Sequence, residues 1–160
     1  MVRILVVYDS VSGNTELMAQ AVAKGAENVS QAEVALKRVN RVALKDMLSS
    51  HAIIIGSPTY YGLMSARIKD LLDRSVKIHG KLEGKVGAAF TSSGGAASGA
   101  ETTLLSMIEA MLVHGMIVQG RHEGKHYGAA AVGKPNDKDR KLCEELGRRT
   151  AELAKMIFGE

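Results

Sequence analysis

At 160 residues, 46% of them hydrophobic and 24% charged, the chain is one ordinary domain, long enough to bury a full core. It shows no apolar run of membrane-spanning length and no opening signal-peptide pattern, and its single cysteine, Cys143, excludes an internal disulfide; a reducing cytoplasm is the expected setting. The net charge of +4 does not point to nucleic acid, because Asp137, Asp139, Glu144 and Glu145 are interspersed among the cations from Lys134 to Arg149 and no aromatic residue joins them.

Ile4-Leu5-Val6-Val7 is apolar without alternation, the pattern of a strand buried on both faces, and predicts a strand over 2–8. Tyr8-Asp9-Ser10-Val11-Ser12-Gly13-Asn14-Thr15 follows it. Leu17, Met18, Ala21, Val22 and Gly25 then recur at spacings of three and four, which predicts a helix over 15–28. A strand, a hydroxyl-rich loop and a helix start make a candidate anion site, because first-turn amides lack helical acceptors and the helix dipole adds positive potential. Gly13 allows close approach of the backbone, and Ser10, Ser12 and Thr15 offer hydroxyls. The loop has no Lys followed by Ser or Thr and no G-x-G-x-x-G, so neither a nucleoside triphosphate nor a dinucleotide loop is indicated. A single terminal monophosphate suits it; an ordinary capped turn would carry the same residue types.

Further along, apolar runs and amphipathic stretches alternate: strand 32–38, a short helix near 43–49, strand 52–56, helix 65–78, strand 85–91 and helix 99–114. Strand material at 116–119 and 127–132 and a helix over 137–157 complete the chain. Ser98-x-x-Glu101 and Asn136-x-x-Asp139 have the form of capping boxes at the last two long helices. The eight methionines read as core filler. Five β/α units of this length predict an α/β, doubly wound, five-stranded parallel sheet of order 2-1-3-4-5 with helices on both faces.

Ligands of such sheets bind beyond the carboxyl ends of the strands. Two more loops reach that edge: Gly56-Ser57-Pro58-Thr59-Tyr60-Tyr61-Gly62 and Thr91-Ser92-Ser93-Gly94-Gly95-Ala96-Ala97 with Ser98-Gly99. The first puts two tyrosines in a turn, where their faces can stack on a planar ligand. The second is small and rich in approachable amides. A phosphate cradle, an aromatic face and a strip of amides together describe a site for FMN.

Ser10-x-Ser12-Gly13-Asn14-Thr15 resembles the flavodoxin phosphate loop. Gly56 to Met64, Gly84-Lys85-Val86-Gly87 through Phe90 to Gly94, Glu101-Thr102-Thr103 and His114-Gly115-Met116 resemble the tryptophan-repressor-binding (WrbA) family of NAD(P)H:quinone oxidoreductases. The resemblance implies a flavodoxin-like single domain with bound FMN, NAD(P)H as transient co-substrate, quinone as acceptor, and a homo-oligomer, dimer or tetramer. By position it implies that Ser10, Val11, Ser12, Gly13, Asn14 and Thr15 hold the phosphate. Pro58, Thr59, Tyr60, Tyr61 and Gly62 would line one side of the ring, and Thr91, Ser92, Ser93, Gly94, Gly95, Ala96 and Ala97 the other. His114 matches a family histidine near the flavin at a subunit contact, and is the candidate catalytic residue. Against the family pattern, Val39 to Ser50 is short, Tyr60-Tyr61 replaces an Arg-Phe pair, and the chain has no tryptophan.

Two other motifs lead elsewhere. His122-Glu123-Gly124-Lys125-His126 has the H-E-x-x-H form of a zinc helix, but Gly120, Gly124 and Gly128 predict a loop that splits the last strand. His114 closes the helix over 99–114, where the dipole favours a cation. The leading expectation is an FMN-dependent oxidoreductase reducing quinones with NAD(P)H, with no metal. The alternative is a flavodoxin that carries single electrons between protein partners.

Overall fold

The uninterrupted apolar runs form the middle of a parallel sheet. In the computed structural model, which describes residues 1–159, β1 (Val2–Tyr8) lies between β2 (Ala32–Arg38) and β3 (Ala52–Pro58), and β4 (Val86–Ser93) lies beyond β3. Every residue of β3 and β4 is buried, as helices on both faces require. β2 is the edge strand, half-exposed along its length, and carries the charges Glu33, Lys37 and Arg38 there. The strand order is the expected 2-1-3-4-5, a flavodoxin-like α/β fold.

The fifth position is shared by β5 (Ile117–Val118) and β6 (Ala129–Val132), both parallel to β4. The glycine-bearing loop over 119–128 separates them, so the H-E-x-x-H segment lies on no helix, and His122 is exposed. No helix among the described residues is long and apolar enough to cross a membrane.

Alternate side chains of each strand feed two cores. Ile4, Val6, Ile54 and Phe90 pack under α1 (Asn14–Glu27) and α5 (Asp137–Phe158). Leu5, Val7, Ile53 and Ile55 pack under α2 (Leu44–Ser49), α3 (Ala66–Arg74) and α4 (Ala100–Val113). Met18, Met47, Met107 and Met111 are buried there, as expected, whereas Met156 is exposed. Helices α1 and α5 cross in backbone contact. A Cβ on Gly25 would lie 1.8 Å from the Glu144 carbonyl oxygen, and one on Gly147 would lie 1.9 Å from that of Val22.

Two local expectations change and one holds. The helix predicted over 65–78 is α-helical only to Arg74 and tightens into a 3-10 turn over Ser75–Ile78, where the Ser75 hydroxyl takes the Leu72 carbonyl at 2.6 Å. The Asn136/Asp139 capping box forms, with reciprocal bonds of 3.0 and 3.1 Å. The Ser98/Glu101 box does not. Gly99 occupies the N-cap of α4 in the left-handed region at φ 100°, and Ser98 Oγ donates to the Gly95 carbonyl at 2.6 Å instead.

Candidate functional site

β1 delivers the chain to the sheet rim, where the Asp9 amide donates to the Gly56 carbonyl at 3.1 Å. Ser10 is buried, and its Oγ accepts the Gly13 amide at 3.1 Å, closing a tight turn over Val11 and Ser12. Gly13 is the N-cap of α1 at φ 92°, a left-handed conformation that favours glycine, and it has no side chain to cap the helix. Leu17 is the first residue whose amide finds the helical ladder, at the Gly13 carbonyl, 3.1 Å away. The amides of Asn14, Thr15 and Glu16 therefore have no acceptor among the described residues. A Cβ built on Gly13 meets nothing within 4 Å, so the approach to these amides is open. An uncapped, open helix start with exposed Ser12 beside it fits a phosphate monoester.

The hydroxyls divide into two kinds. Ser12 is exposed and can reach a ligand. Thr15 is buried, with Oγ1 2.7 Å from Ser92 Oγ, and so ties the first loop to β4. Ser10 and Thr15 are engaged within the protein, and the free amides and Ser12 are the groups left open to a ligand.

β3 and β4 each run two residues further than expected, to Pro58 and Ser93, with Ser57 opposite Thr91 and Pro58 opposite Ser92. Pro58, Thr91, Ser92 and Ser93 are thus buried sheet residues. Thr91 Oγ1 donates to the Ser57 carbonyl at 2.7 Å and sits 2.9 Å from Thr59 Oγ1. The accessible parts of the two loops narrow to Thr59–Gly62 and Gly94–Ala97. Tyr60 and Leu63 exchange backbone hydrogen bonds of 3.0 Å, and the tip residues Tyr61 and Gly62 have φ of 50° and 75°, the signs of a type I′ hairpin turn. Tyr61 is fully exposed and Tyr60 45% exposed, so neither ring is spent on the core. Ala97, at φ 51°, is the third non-glycine residue held in the left-handed region, with Gln31 and Tyr61. The loops meet at Gly62 and Gly99, where a Cβ on Gly99 would lie 2.6 Å from Gly62 Cα.

Several residues that hold the rim carry no local sequence signal. Asp9 is buried and pairs with Arg67 of α3 at 3.2 Å. Arg38, at the end of β2, donates to the Ser10 carbonyl. Tyr8 donates its hydroxyl to Glu16 at 3.0 Å, and burial, then Glu16, raises its pKa. Ser57 Oγ accepts the Ser65 amide at 2.8 Å, fixing the turn into α3. The first two join elements distant in the chain, and the last two tie each strand to the helix that follows it.

The structure does not bring His114 to this rim. It ends α4, whose 14 residues start at the rim with Gly99 and span about 20 Å. Because the Ser75 hydroxyl already donates to Leu72, the His114 Nε2–H donates to Ser75 Oγ, 2.7 Å away, and Nδ1 is left buried without a partner. Burial, then the neighbouring His79, lowers its pKa below the ordinary 6.5, which replaces the expected helix-end cation with a neutral imidazole. Burial and the cations Arg3 and Lys85 lower His51 in the same way.

These shifts set the sign of a pH dependence. The unfolded chain binds protons at both histidines that the folded chain does not, so stability is complete above about pH 6.5 and declines as the pH falls below it. Chemical denaturation at pH 7.0 and 5.5 should show the decline, and His114→Leu should reduce it to the share that His51 contributes. A wild-type curve that is level over this range would refute the assignment.

With three loops converging beside an uncapped helix start, the rim has the parts of a flavin site. Residues 2–124 match the family model described as NADPH-dependent FMN reductase. The chain belongs to the NADPH-dependent FMN reductase family. Among its relatives, an NAD(P)H dehydrogenase (quinone) of Archaeoglobus fulgidus is 37% identical over 191 aligned positions, covering 98% of this chain and all of that one. A flavodoxin of Aquifex aeolicus is 38% identical, covering 95% and 86% of the two chains. Among solved structures, a WrbA-like flavodoxin from Agrobacterium tumefaciens superposes with a TM-score of 0.85 at 27% identity, over 98% of this chain and 99% of that one. An archaeal flavodoxin gives 0.77 at 31% identity, over 96% and 99%.

Proposed function

We propose that this protein is an FMN-dependent oxidoreductase that reduces quinones with NAD(P)H. The observation that carries the reading is the open start of α1, with three unpartnered amides on the same rim as the exposed tyrosines and the Gly94–Ala97 amides. FMN, when bound, supplies the hydride and electron chemistry. The chain's own part is to hold and orient it: Ser12, Gly13 and Asn14 at the phosphate, Tyr60 and Tyr61 as aromatic faces, and Gly94 to Ala97 as donors at the ring edge. Thr59–Gly62 and Gly94–Ala97 contain no acidic residue, so the rim does not oppose negative charge on a reduced ring, which favours two-electron chemistry. The relative named NAD(P)H dehydrogenase (quinone) supports the same reading.

In this proposal the protein works in a reducing cytoplasm, which its one free, buried cysteine fits; burial pushes the Cys143 thiol up to about 12. A dimer or tetramer is the assembly in which His114, remote from its own rim, would meet a flavin. Anaerobic assay of FMN-loaded protein with NADPH or NADH and benzoquinone tests the activity directly. Quinone-dependent oxidation of the dinucleotide is expected. Bound FMN that dithionite bleaches but neither dinucleotide reduces would assign the electron-carrier role of the relatives named flavodoxin.

A further inference from the structure

The strands are parallel, so the turns that follow β1, β3 and β6 emerge on one edge of the sheet, the rim that carries the candidate site. The turn after β6 is bonded into that edge, because the Gly133 amide donates to the Ser93 carbonyl at 2.8 Å. Lys134 follows at once, and Lys138, Arg140 and Lys141 lie in the first turns of α5. All four are exposed, and none has an ion-pair partner among the described residues. The neighbouring acids are mostly engaged. Asp139 accepts the Asn136 amide in the capping box, Glu144 pairs with Lys24 at 2.7 Å, and Glu145 pairs with Arg121. Even with Asp137 and Asp139 set against the four cations, the stretch from Lys134 to Lys141 stays positive. Arg140 and Lys141 share a groove with Leu17 and Gln20, so this charge adjoins the helix that opens the cradle.

Apolar side chains stand on the same rim. Val11, in the turn after β1, is 71% exposed; Leu63, in the hairpin after β3, is 56% exposed; and Val132, the last residue of β6, is 54% exposed. They belong to three separate segments. Isolated apolar tips beside free cations suit a bilayer surface, where each tip enters the headgroup boundary on its own and the cations meet anionic headgroups. An acidic protein face would match the cations but offer the scattered tips no continuous apolar core to join.

We propose that this rim docks on an anionic bilayer surface through Lys134, Lys138, Arg140 and Lys141 with Val132, and that the quinone it reduces is a long-chain one dissolved in that bilayer. The proposal rests on the quinone-reducing reading above. The overall reaction, NAD(P)H + H+ + quinone → NAD(P)+ + quinol, is unchanged, and the docking face sets where the quinone is met.

Co-sedimentation of the FMN-loaded protein with vesicles tests the docking face. Phosphatidylcholine vesicles containing about 30% phosphatidylglycerol should retain the protein at about 0.1 M salt and release it at about 0.5 M, and pure phosphatidylcholine should not retain it. Lys138→Gln and Lys141→Gln should each weaken retention about 5-fold, and Val132→Ser about 3-fold. All three positions are exposed and lie outside the candidate FMN site. At limiting vesicle concentration the variants should lose kcat/KM by the same factors toward a long-chain quinone held in the anionic vesicles, and keep it toward water-soluble benzoquinone. Equal retention by both kinds of vesicle, variants that are retained like wild type, or equal losses toward both quinones would overturn the proposal. Binding to polyglutamate without binding to anionic vesicles would also overturn it, and would assign the cations to an acidic protein. Salt-sensitive retention with the stated variant losses, in a protein that oxidises neither dinucleotide, would keep the docking face and reject the oxidoreductase reading, the lipid quinone with it.

Discussion

Ser12→Asp is expected to weaken FMN binding about 100-fold while leaving the apoprotein's stability within about 0.5 kcal/mol of wild type. Ser12 is exposed at the tip of the cradle, so the new carboxylate disturbs no packing. It would stand beside the open amides of Asn14 to Glu16, in the space assigned to a doubly charged phosphate. Like charges about 5 Å apart near a protein surface repel by about 3 kcal/mol, which is the stated factor. The new carboxylate would also occupy the amides that the phosphate needs. Ser12→Ala removes one donor and should cost only about 10-fold. Fluorescence titration with FMN and with riboflavin separates the causes, since riboflavin lacks the phosphate and should bind both variants as it binds wild type. Unchanged FMN affinity in Ser12→Asp would place the phosphate elsewhere.

The second large effect is on stability. Gly147→Ala should destabilise the protein by about 3 kcal/mol and lower Tm by roughly 10 °C, although alanine is the better helix former by about 1 kcal/mol in an open helix. The reason is the 1.9 Å separation between the new Cβ and the Val22 carbonyl oxygen: neither atom belongs to a flexible side chain, so α1 and α5 must move apart. Gly25→Ala, facing the Glu144 carbonyl from the other helix, should cost about as much. The double variant should cost less than the two singles together, because one separation of the helices relieves both clashes. Urea unfolding of the three variants measures this. Additive losses would mean that the two contacts yield independently.

The frame of the molecule was legible because it depends on local pattern. Ile4 to Val7 and Ile53 to Ile55 have no polar alternation, and such strands have one stable surrounding, a sheet covered on both sides. The cradle was legible because Gly13 and its hydroxyl neighbours interrupt that pattern at the point where a helix begins. What escaped was long-range. Nothing near Thr15 says that its hydroxyl belongs to Ser92, and nothing near Asp9 names Arg67. The strand ends moved because Ser57 and Pro58, turn formers by composition, pair with Thr91 and Ser92 across β3 and β4. Glu101 looked like half of a capping box, but the contact of Gly62 with Gly99 leaves no room for a side chain at the N-cap. At His114 the helix dipole favours a cation, but burial and the neighbouring His79, both long-range effects, lower its pKa instead.

The seating of α1 against α5 also bears on how the protein is made. Helix α1 carries the proposed phosphate-binding end, yet the surface that clamps its flank comes from residues more than a hundred positions later. On the ribosome, a nascent chain that has just produced the cradle still lacks the clamp. The cradle's helix therefore gains its clamp only after translation has passed Gly147.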